Sequence, residues 1–239
     1  MSDSPVAAAT RPPSFRDAFR RGTKVHDVIA AVPLVAWYGL CASTQISALR
    51  TLIPQLYLSG FSFPLVAGVL AKSAAVLFAI AWMGLLLARR PARSAPPGAL
   101  PRIAAVLGTY LAVSFSLLPA PNPPLALLIL STVLILAGVA FALYSLMHLG
   151  RSLSIMPEAR ALVTSGPYSV IRHPLYLGEE ISIFGLAIQF LSGWAMLILA
   201  VQIACQLYRM HYEEGVLSDN FPQYALYKTR TFRLVPGLY

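Results

Sequence analysis

The chain has 239 residues, of which 57% are apolar and only 11% are charged, and its net charge at neutral pH is +9. Soluble domains usually carry about 25% charged residues, so this composition nearly excludes a water-soluble globular enzyme. The high hydrophobicity also excludes a disordered chain. The composition therefore indicates an integral membrane protein, whose cytoplasmic loops collect Lys and Arg.

The N-terminal segment, residues 1–27, is polar and basic, and no small-residue cleavage site precedes the apolar run that follows. This pattern favours a cytoplasmic tail over a signal peptide. Because a bilayer core needs roughly 20 apolar residues, the sequence predicts an all-α, polytopic membrane bundle of about six transmembrane helices, four of them within residues 28–146. The six hydrophobic segments lie at about 28–46, 63–87, 103–118, 125–149, 175–190 and 194–208.

The last two segments form one apolar stretch from Leu175 to Leu207. As a single helix it would be about 50 Å long, which is too long for one crossing. Ser192 and Gly193 offer a turn near its middle, so we predict two short helices that enter the membrane and return. One long tilted helix that projects from the membrane is the competing interpretation.

The basic residues are strongly biased to one side of this layout. With the N-terminus inside, sixteen of the 18 Lys and Arg residues fall in inner segments, Arg50 falls outside and Lys72 lies within a span. This distribution follows the positive-inside rule. It predicts a multi-pass protein with both termini in the cytoplasm, located in the inner membrane if the source is bacterial.

Two clusters of polar residues lie on the predicted cytoplasmic side, at 160–180 and at 209–214. Glu179 and Glu180 fall just inside a span, where carboxylates are costly unless they face a cavity or pair with Arg. The alternative is a polar helix end at the headgroup level. Arg209 and Glu213 are four residues apart and share a helix face, as an ordinary surface ion pair would.

Three motifs make this region similar to a known family. Residues 162–168 read LVTSGPY, residues 172–178 read RHPLYLG, and Arg209 is followed by Glu213 and Glu214. Over residues 147–239, together with Phe221, Tyr224, Tyr227, Arg233 and Pro236, the chain resembles the isoprenylcysteine carboxyl methyltransferases. The wider group includes phospholipid methyltransferases. The resemblance implies that 147–239 is the methyltransferase region, with the last two membrane helices and a cytoplasmic tail, and that S-adenosylmethionine is the cofactor.

The resemblance also implies roles for individual residues. Arg209 would orient the methyl acceptor. Glu180 is not part of the family pattern, but its chemistry would let it take the proton of an amine acceptor. Position 160 is Arg where the eukaryotic enzymes have His. The cofactor-binding residues implied are Arg160, Ala161, Leu162, Val163, Tyr168, His173, Pro174, Leu175, Tyr176 and Glu213.

Methyl transfer from a sulfonium is an in-line displacement, which needs positioning and a dry site. No metal site is expected, because Cys41 and Cys205 lie in apolar runs without a CxxC motif. The acceptor is expected to be a lipophilic molecule from the bilayer, first an isoprenylcysteine-like carboxylate that becomes a methyl ester. A phospholipid head-group amine and then a thiol are the alternatives.

A hypothesis of another class is a non-enzymatic transporter or membrane scaffold. Lys72 and the buried carboxylates favour it, because they could form an ion path. The clustering of polar residues at one membrane face, away from the midplane, opposes it. Membrane lipids are expected partners and nucleic acid is not, while the sequence leaves the oligomeric state open.

Overall fold

A computed structural model describes residues 23–90, 98–119, 122–154 and 158–237. The basic residues before Thr23, and Arg93, which we predict to lie on the cytoplasmic side, are outside these ranges. Within them the chain forms seven α-helices and no β-sheet. The helices are α1 (Lys24–Leu58), α2 (Phe63–Ala88), α3 (Leu100–Tyr110), α4 (Leu125–Leu149), α5 (Pro174–Gln189), α6 (Gly193–Asn220) and α7 (Tyr224–Arg230), and a 3-10 helix, Leu111–Leu117, extends α3.

Five helical stretches in the described part of the chain are long and apolar enough to cross a membrane. The sixth apolar helix, α5, has 16 residues and is about 24 Å long, which is shorter than a hydrocarbon core of roughly 30 Å. The predicted all-α, polytopic membrane fold is confirmed, and all six apolar segments are helical. The five stretches are Lys24–Leu58, Phe63–Ala88, Leu100–Leu117, Leu125–Ser152 and Gly193–Asn220.

The stretch from Leu175 to Leu207 is two helices, so the single-helix interpretation is wrong. The chain reverses at Leu191, whose φ of 46° lies in the left-handed region. Ser192 then caps α6, because its side chain accepts a hydrogen bond from the Trp194 backbone N–H at 3.2 Å. The second helix continues well past the predicted end at residue 208 and reaches Asn220. Arg209 and Glu213 therefore lie on the same unbroken helix.

Glycines let α4 and α5 pack backbone to backbone in antiparallel directions. A Cβ added to Gly178 would lie 2.6 Å from the Ala142 nitrogen, and one added to Gly138 would lie 2.6 Å from the Gly178 oxygen. Further along, a Cβ on Gly185 would lie 2.9 Å from the Leu134 Cβ. Small residues drive this kind of close helix contact in membranes, where apolar side chains gain little by leaving lipid. The contact fixes the position of α5.

The start of α1, the end of α2 and the end of α4 meet at one end of the bundle. Lys24 Nζ donates to the Leu87 and Arg89 carbonyls, both at 2.6 Å. Arg151 Nε, just after α4, donates to the Ala88 carbonyl at 2.9 Å. The start of α5 and the end of α6 lie at this same end, as the antiparallel layout requires. The membrane side that this end faces stays a prediction.

Candidate active site

The LVTSGPY motif forms a tight turn beneath α4. Gly166 has a φ of +60°, and a Cβ added to it would overlap the ring of His148. Only glycine fits both the left-handed backbone and this close approach. A 3-10 helix, Gly166–Ser169, follows and directs Tyr168 inward, where the residue is 6% exposed. The motif glycine therefore has a geometric role, which is to place Tyr168.

The RHPLYLG motif starts α5, and its side chains meet α6. Pro174 occupies the first turn, where its missing N–H costs nothing. The rings of His173 and Tyr176 stack with their centroids 5.5 Å apart and their planes 6° from parallel. Tyr176 Oη donates to Glu213 Oε1 at 2.5 Å, and His173 Nδ1 lies 3.8 Å from Glu213 Oε2. Glu213 is thereby placed against the motif.

Arg209 and Glu213 do not form the surface pair that helix spacing alone suggests. Arg209 is 2% exposed, and its Nε lies 3.4 Å from Glu213 Oε1. Its Nη2 donates to the Ser154 carbonyl at 3.2 Å, and its Cζ lies 4.7 Å from the centre of the Tyr176 ring. A guanidinium buried this deeply needs such partners.

Glu214, the neighbour of Glu213, lies close to basic side chains from three parts of the chain. Its Oε1 accepts a hydrogen bond from Arg172 Nε at 2.8 Å and lies 3.3 Å from both His173 Nε2 and Arg233 Nε. Its Oε2 lies 3.6 Å from Lys228 Nζ. Glu214 thus ties the α5 motif to α6 and to the segment that follows α7.

These elements enclose a cavity of about 90 Å³ that we call the polar cavity. Its wall comes from residues 149–227. The structure brings eight of the ten predicted cofactor-binding residues onto this wall, and Arg160 and Pro174 are not among its wall residues. The eight are Ala161, Leu162, Val163, Tyr168, His173, Leu175, Tyr176 and Glu213.

Six polar residues of this wall were not predicted as site residues: Ser152, Ser154, Glu158, Arg172, Tyr224 and Tyr227. The two tyrosines had a sequence signal, since both belong to the pattern of the family resemblance. Ser154 and Glu158 had none, because only the path of the loop after α4 brings them to the cavity. Tyr227 Oη donates to the Tyr168 carbonyl at 2.6 Å, and burial raises the pKa of the Tyr227 phenol to about 12.

Two tyrosines of the polar cavity wall carry hydroxyl groups that the described residues leave unused. Tyr168 Oη and Tyr224 Oη are buried, and neither has a hydrogen-bond partner among those residues. Burial also raises the pKa of both phenols, which therefore stay neutral donors and acceptors at neutral pH. Buried polar groups without partners are costly. The cavity is therefore suited to a polar ligand, next to the carboxylates of Glu213 and Glu158.

A second cavity of about 290 Å³, which we call the apolar cavity, lies among the membrane helices. Aromatic residues of α1 and α2 dominate its wall, and Tyr38 and Trp82 stack there with their ring centroids 5.3 Å apart. Arg209 and Glu179 supply charge to the wall. Since Arg209 also pairs with Glu213 of the polar cavity, its guanidinium stands between the two cavities.

The two adjacent carboxylates of α5 are placed differently. Glu179 lines the apolar cavity, and its Oε2 accepts a hydrogen bond from Gln206 Nε2 at 3.2 Å. Glu180 lies beside Gln202 and is a wall residue of neither cavity. Glu179 therefore faces a cavity, as its position inside a span led us to expect. The proton-accepting role of Glu180 stays a prediction.

Arg160, predicted to bind the cofactor, is not a wall residue of the polar cavity. The residue is 3% exposed, and its Nη2 lies 2.8 Å from Asp27 Oδ1 and 2.7 Å from Glu158 Oε2. Its Nη1 donates to the Arg90 carbonyl. The Arg160 guanidinium thus bonds to residues that lie outside the LVTSGPY and RHPLYLG motifs.

Residues 126–224 match a family model described as phospholipid methyltransferase. The predicted resemblance to the membrane methyltransferases is confirmed. The matched segment contains LVTSGPY, RHPLYLG and the residues from Arg209 to Glu214. It therefore supplies most of the polar cavity wall, and it indicates methyltransferase activity.

Two curated relatives match a shorter part of the chain. The nickel-cobalt-cadmium resistance protein NccN of Alcaligenes xylosoxydans xylosoxydans is 40% identical over 82 residues, which are 34% of this chain and 38% of the relative. The cobalt-zinc-cadmium resistance protein CzcN of Cupriavidus metallidurans is 38% identical over 78 residues, which are 32% of this chain and 36% of the relative. The match thus spans little more than a third of each relative. Within the described residues, no group of three or more His, Cys, Asp or Glu side chains could hold a metal ion.

Proposed function

We propose that the protein is an integral membrane methyltransferase that transfers a methyl group from S-adenosylmethionine to a lipophilic acceptor. The observation that carries the proposal is the position of Arg209, which lines the apolar cavity and pairs with Glu213 of the polar cavity. Two cavities that meet at one side chain allow a water-soluble donor and a membrane-soluble acceptor to approach each other.

The residues of the polar cavity fit this cofactor. Glu213 and Glu158 offer carboxylates to its cationic amine and sulfonium. The unused hydroxyls of Tyr168 and Tyr224 can bond its polar atoms, and the Tyr176 ring offers a face to a cation. When bound, S-adenosylmethionine supplies an electrophilic methyl group.

The contribution of the protein is alignment and the exclusion of water, which a direct displacement needs. Tyr176 and Arg209 both contact Glu213 and hold its carboxylate in one place. On the other side of Arg209, the stacked rings of Tyr38 and Trp82 keep the acceptor cavity apolar. No metal ion is needed for these steps.

The first acceptor that we propose is a carboxylate on an isoprenyl-like group, giving a methyl ester. Arg209 supports it, because a guanidinium orients a carboxylate through two parallel hydrogen bonds. An ionised carboxylate needs no general base. The second candidate is a phospholipid head-group amine, which the Glu179 carboxylate on the apolar wall would attract. Glu180, one residue on, is the proton acceptor that we propose for the amine, and because it is not a wall residue of this cavity, the proton would have to reach it past Glu179.

We also propose that the substrate enters from the bilayer, that membrane lipids surround the helices, and that nucleic acid is not a partner. The end of the bundle that carries the polar cavity would face the cytoplasm together with both termini, in the inner membrane of a bacterial source. The charge distribution supports this orientation. A topology reporter fused after Lys228 should give a cytoplasmic signal.

The function is tested with purified protein in detergent. We expect calorimetry to show binding of S-adenosylmethionine, and the labelled methyl group to appear as a base-labile ester on an isoprenylated cysteine analogue. Label in phosphatidylethanolamine would instead assign the amine acceptor. If the folded protein does not bind S-adenosylmethionine, the proposal is wrong and the transporter or scaffold hypothesis takes its place.

A further inference from the structure

We propose that Asp27, at the start of α1, is a positioning residue for the polar cavity and acts on it through Arg160 and Glu158. The inference rests on the proposed function, since it concerns how the cofactor is bound. It assigns a role in cofactor binding to the N-terminal helix, which lies outside the segment that matches the methyltransferase family model.

Both carboxylate oxygens of Asp27 are held by arginines from distant parts of the chain. Oδ1 accepts a hydrogen bond from Arg160 Nη2 at 2.8 Å, and Oδ2 accepts one from Arg89 Nε at 2.8 Å. Arg89 Nη2 also donates to the Asp27 carbonyl at 3.3 Å. Asp27 is 6% exposed, Arg89 5% and Arg160 3%. These are buried ion pairs. Removing one partner of a buried pair destabilises a protein much more than removing one partner of a surface pair.

The network continues from Arg160 into the cavity wall. The same Arg160 Nη2 lies 2.7 Å from Glu158 Oε2, which also accepts a hydrogen bond from Ser154 Oγ at 2.8 Å. Glu158 and Ser154 both line the polar cavity. The Ser154 carbonyl in turn accepts a hydrogen bond from Arg209 Nη2 at 3.2 Å. A continuous set of contacts therefore joins Asp27 to the cavity wall.

Asp27 is one of the two carboxylates that pair with Arg89 and Arg160. Asp27 and Glu158 supply two negative charges, and Arg89 and Arg160 supply two positive charges. Without the Asp27 charge, Glu158 would be the one carboxylate left in the network to face two buried arginines. The Glu158 carboxylate would then interact mainly with Arg160, and it would attract a cationic group in the cavity less strongly.

The test compares Asp27→Asn with the matched control Asp219→Asn, which makes the same change at an exposed aspartate near the end of α6. We expect Asp27→Asn to weaken S-adenosylmethionine binding about tenfold, which is about 1.4 kcal/mol and typical of coupling within a contact network. KM for the cofactor should rise by the same factor while kcat changes little. Asp219→Asn should leave both unchanged.

A double-mutant cycle separates positioning from a simple loss of packing. If Asp27 acts through Arg160, Asp27→Asn should have no further effect on cofactor affinity in an Arg160→Gln background. A purely structural clamp would instead lower the melting temperature and the fraction of active protein, with the affinity of the folded fraction unchanged. Additive effects on affinity, or unchanged affinity in folded Asp27→Asn, would overturn the inference.

Two further measurements keep the test decisive. If Asp27→Asn does not fold, Arg160→Lys replaces it, because lysine keeps the charge but has one nitrogen, which cannot bridge Asp27 and Glu158 and also bond the Arg90 carbonyl as Nη2 and Nη1 of Arg160 do together. The expected weakening is again about tenfold, and unchanged affinity would overturn the inference. Failure of the wild-type protein to bind S-adenosylmethionine would refute the proposed function itself. Wild-type binding with an unaffected variant would refute only the role of Asp27.

Discussion

The two cavities are built from different parts of the chain. The polar cavity takes its wall from residues 149–227, whereas most of the apolar cavity wall comes from residues 37–113 in α1, α2 and the α3 segment. The segment that matches the methyltransferase family model begins only at residue 126. Under the proposed function, the matched segment therefore binds the cofactor. Under the same proposal, the acceptor is selected mainly by helices that lie outside the matched segment.

We expect the largest effect from substitutions of Arg209, which lines the apolar cavity and pairs with Glu213 of the polar cavity. Replacing Arg209 with Ala removes the group that orients the acceptor, and we expect turnover to fall by about 100-fold or more, as when a preorganised hydrogen-bond donor is lost from an active site. Cofactor affinity should fall less than turnover. Labelled methyl transfer and calorimetry on the same detergent preparation measure the two quantities.

The lysine variant distinguishes the acceptors. Arg209→Lys keeps the charge but loses the planar fork, so it should recover little activity with a carboxylate acceptor and most of it with an amine acceptor. Equal losses of turnover and cofactor affinity in Arg209→Ala would contradict the acceptor role. Arg209 would then serve only to orient Glu213.

Glu213 should affect the polar cavity alone. Glu213→Gln keeps the shape and removes the charge that Tyr176 and Arg209 hold in place, so we expect S-adenosylmethionine binding to weaken by about 1.5–3 kcal/mol. The acceptor KM should stay near its wild-type value. Calorimetry checks the first expectation and acceptor titration the second. Unchanged cofactor affinity in the folded variant would reduce Glu213 to a partner of Arg209.

Ala75 should affect the apolar cavity alone. Ala75→Leu places a larger side chain in the cavity from α2, so the KM for the lipid acceptor should rise by roughly tenfold, about the cost of displacing one or two methylenes. Cofactor affinity should not change. Leu77→Phe, which adds bulk to an outward-facing position of the same helix, serves as the control. A loss of cofactor binding in Ala75→Leu would show that the cavities are not independent.

The fold could be predicted from hydrophobicity because the bilayer imposes it. Each apolar run must satisfy its own backbone hydrogen bonds and therefore becomes a helix. The break at Ser192 followed from helix length, since a single helix would have exceeded the membrane thickness. The end of α6 was placed too early, because the helix continues beyond the apolar residues as far as Asn220. Hydropathy detects membrane depth, and a helix that leaves the membrane carries no such signal.

Residues of the candidate site could be predicted where neighbours in the sequence also line the polar cavity together. The run from Ala161 to Val163 and the residues around Tyr176 line the polar cavity together. Arg160 shows the limit of this reasoning, because its partner Asp27 lies 133 positions away. Asp27 had only a weak signal as an acidic residue in the first turn of an apolar helix. A pairing over that distance depends on how α1 packs, which no local pattern records.

The glycine contact between α4 and α5 also fixes one wall of the polar cavity. The two helices approach so closely at Gly138, Gly178 and Gly185 that a tilt of α5 away from α4 would break this contact. His173 and Tyr176 are therefore carried on a helix whose position is set by α4. The opposite wall includes Tyr224 and Tyr227 on α7, a helix of seven residues whose surroundings are tied to Glu214 through Arg172 and Lys228. A side chain at Gly178 would therefore shift the α5 wall relative to α7 and change the width of the polar cavity.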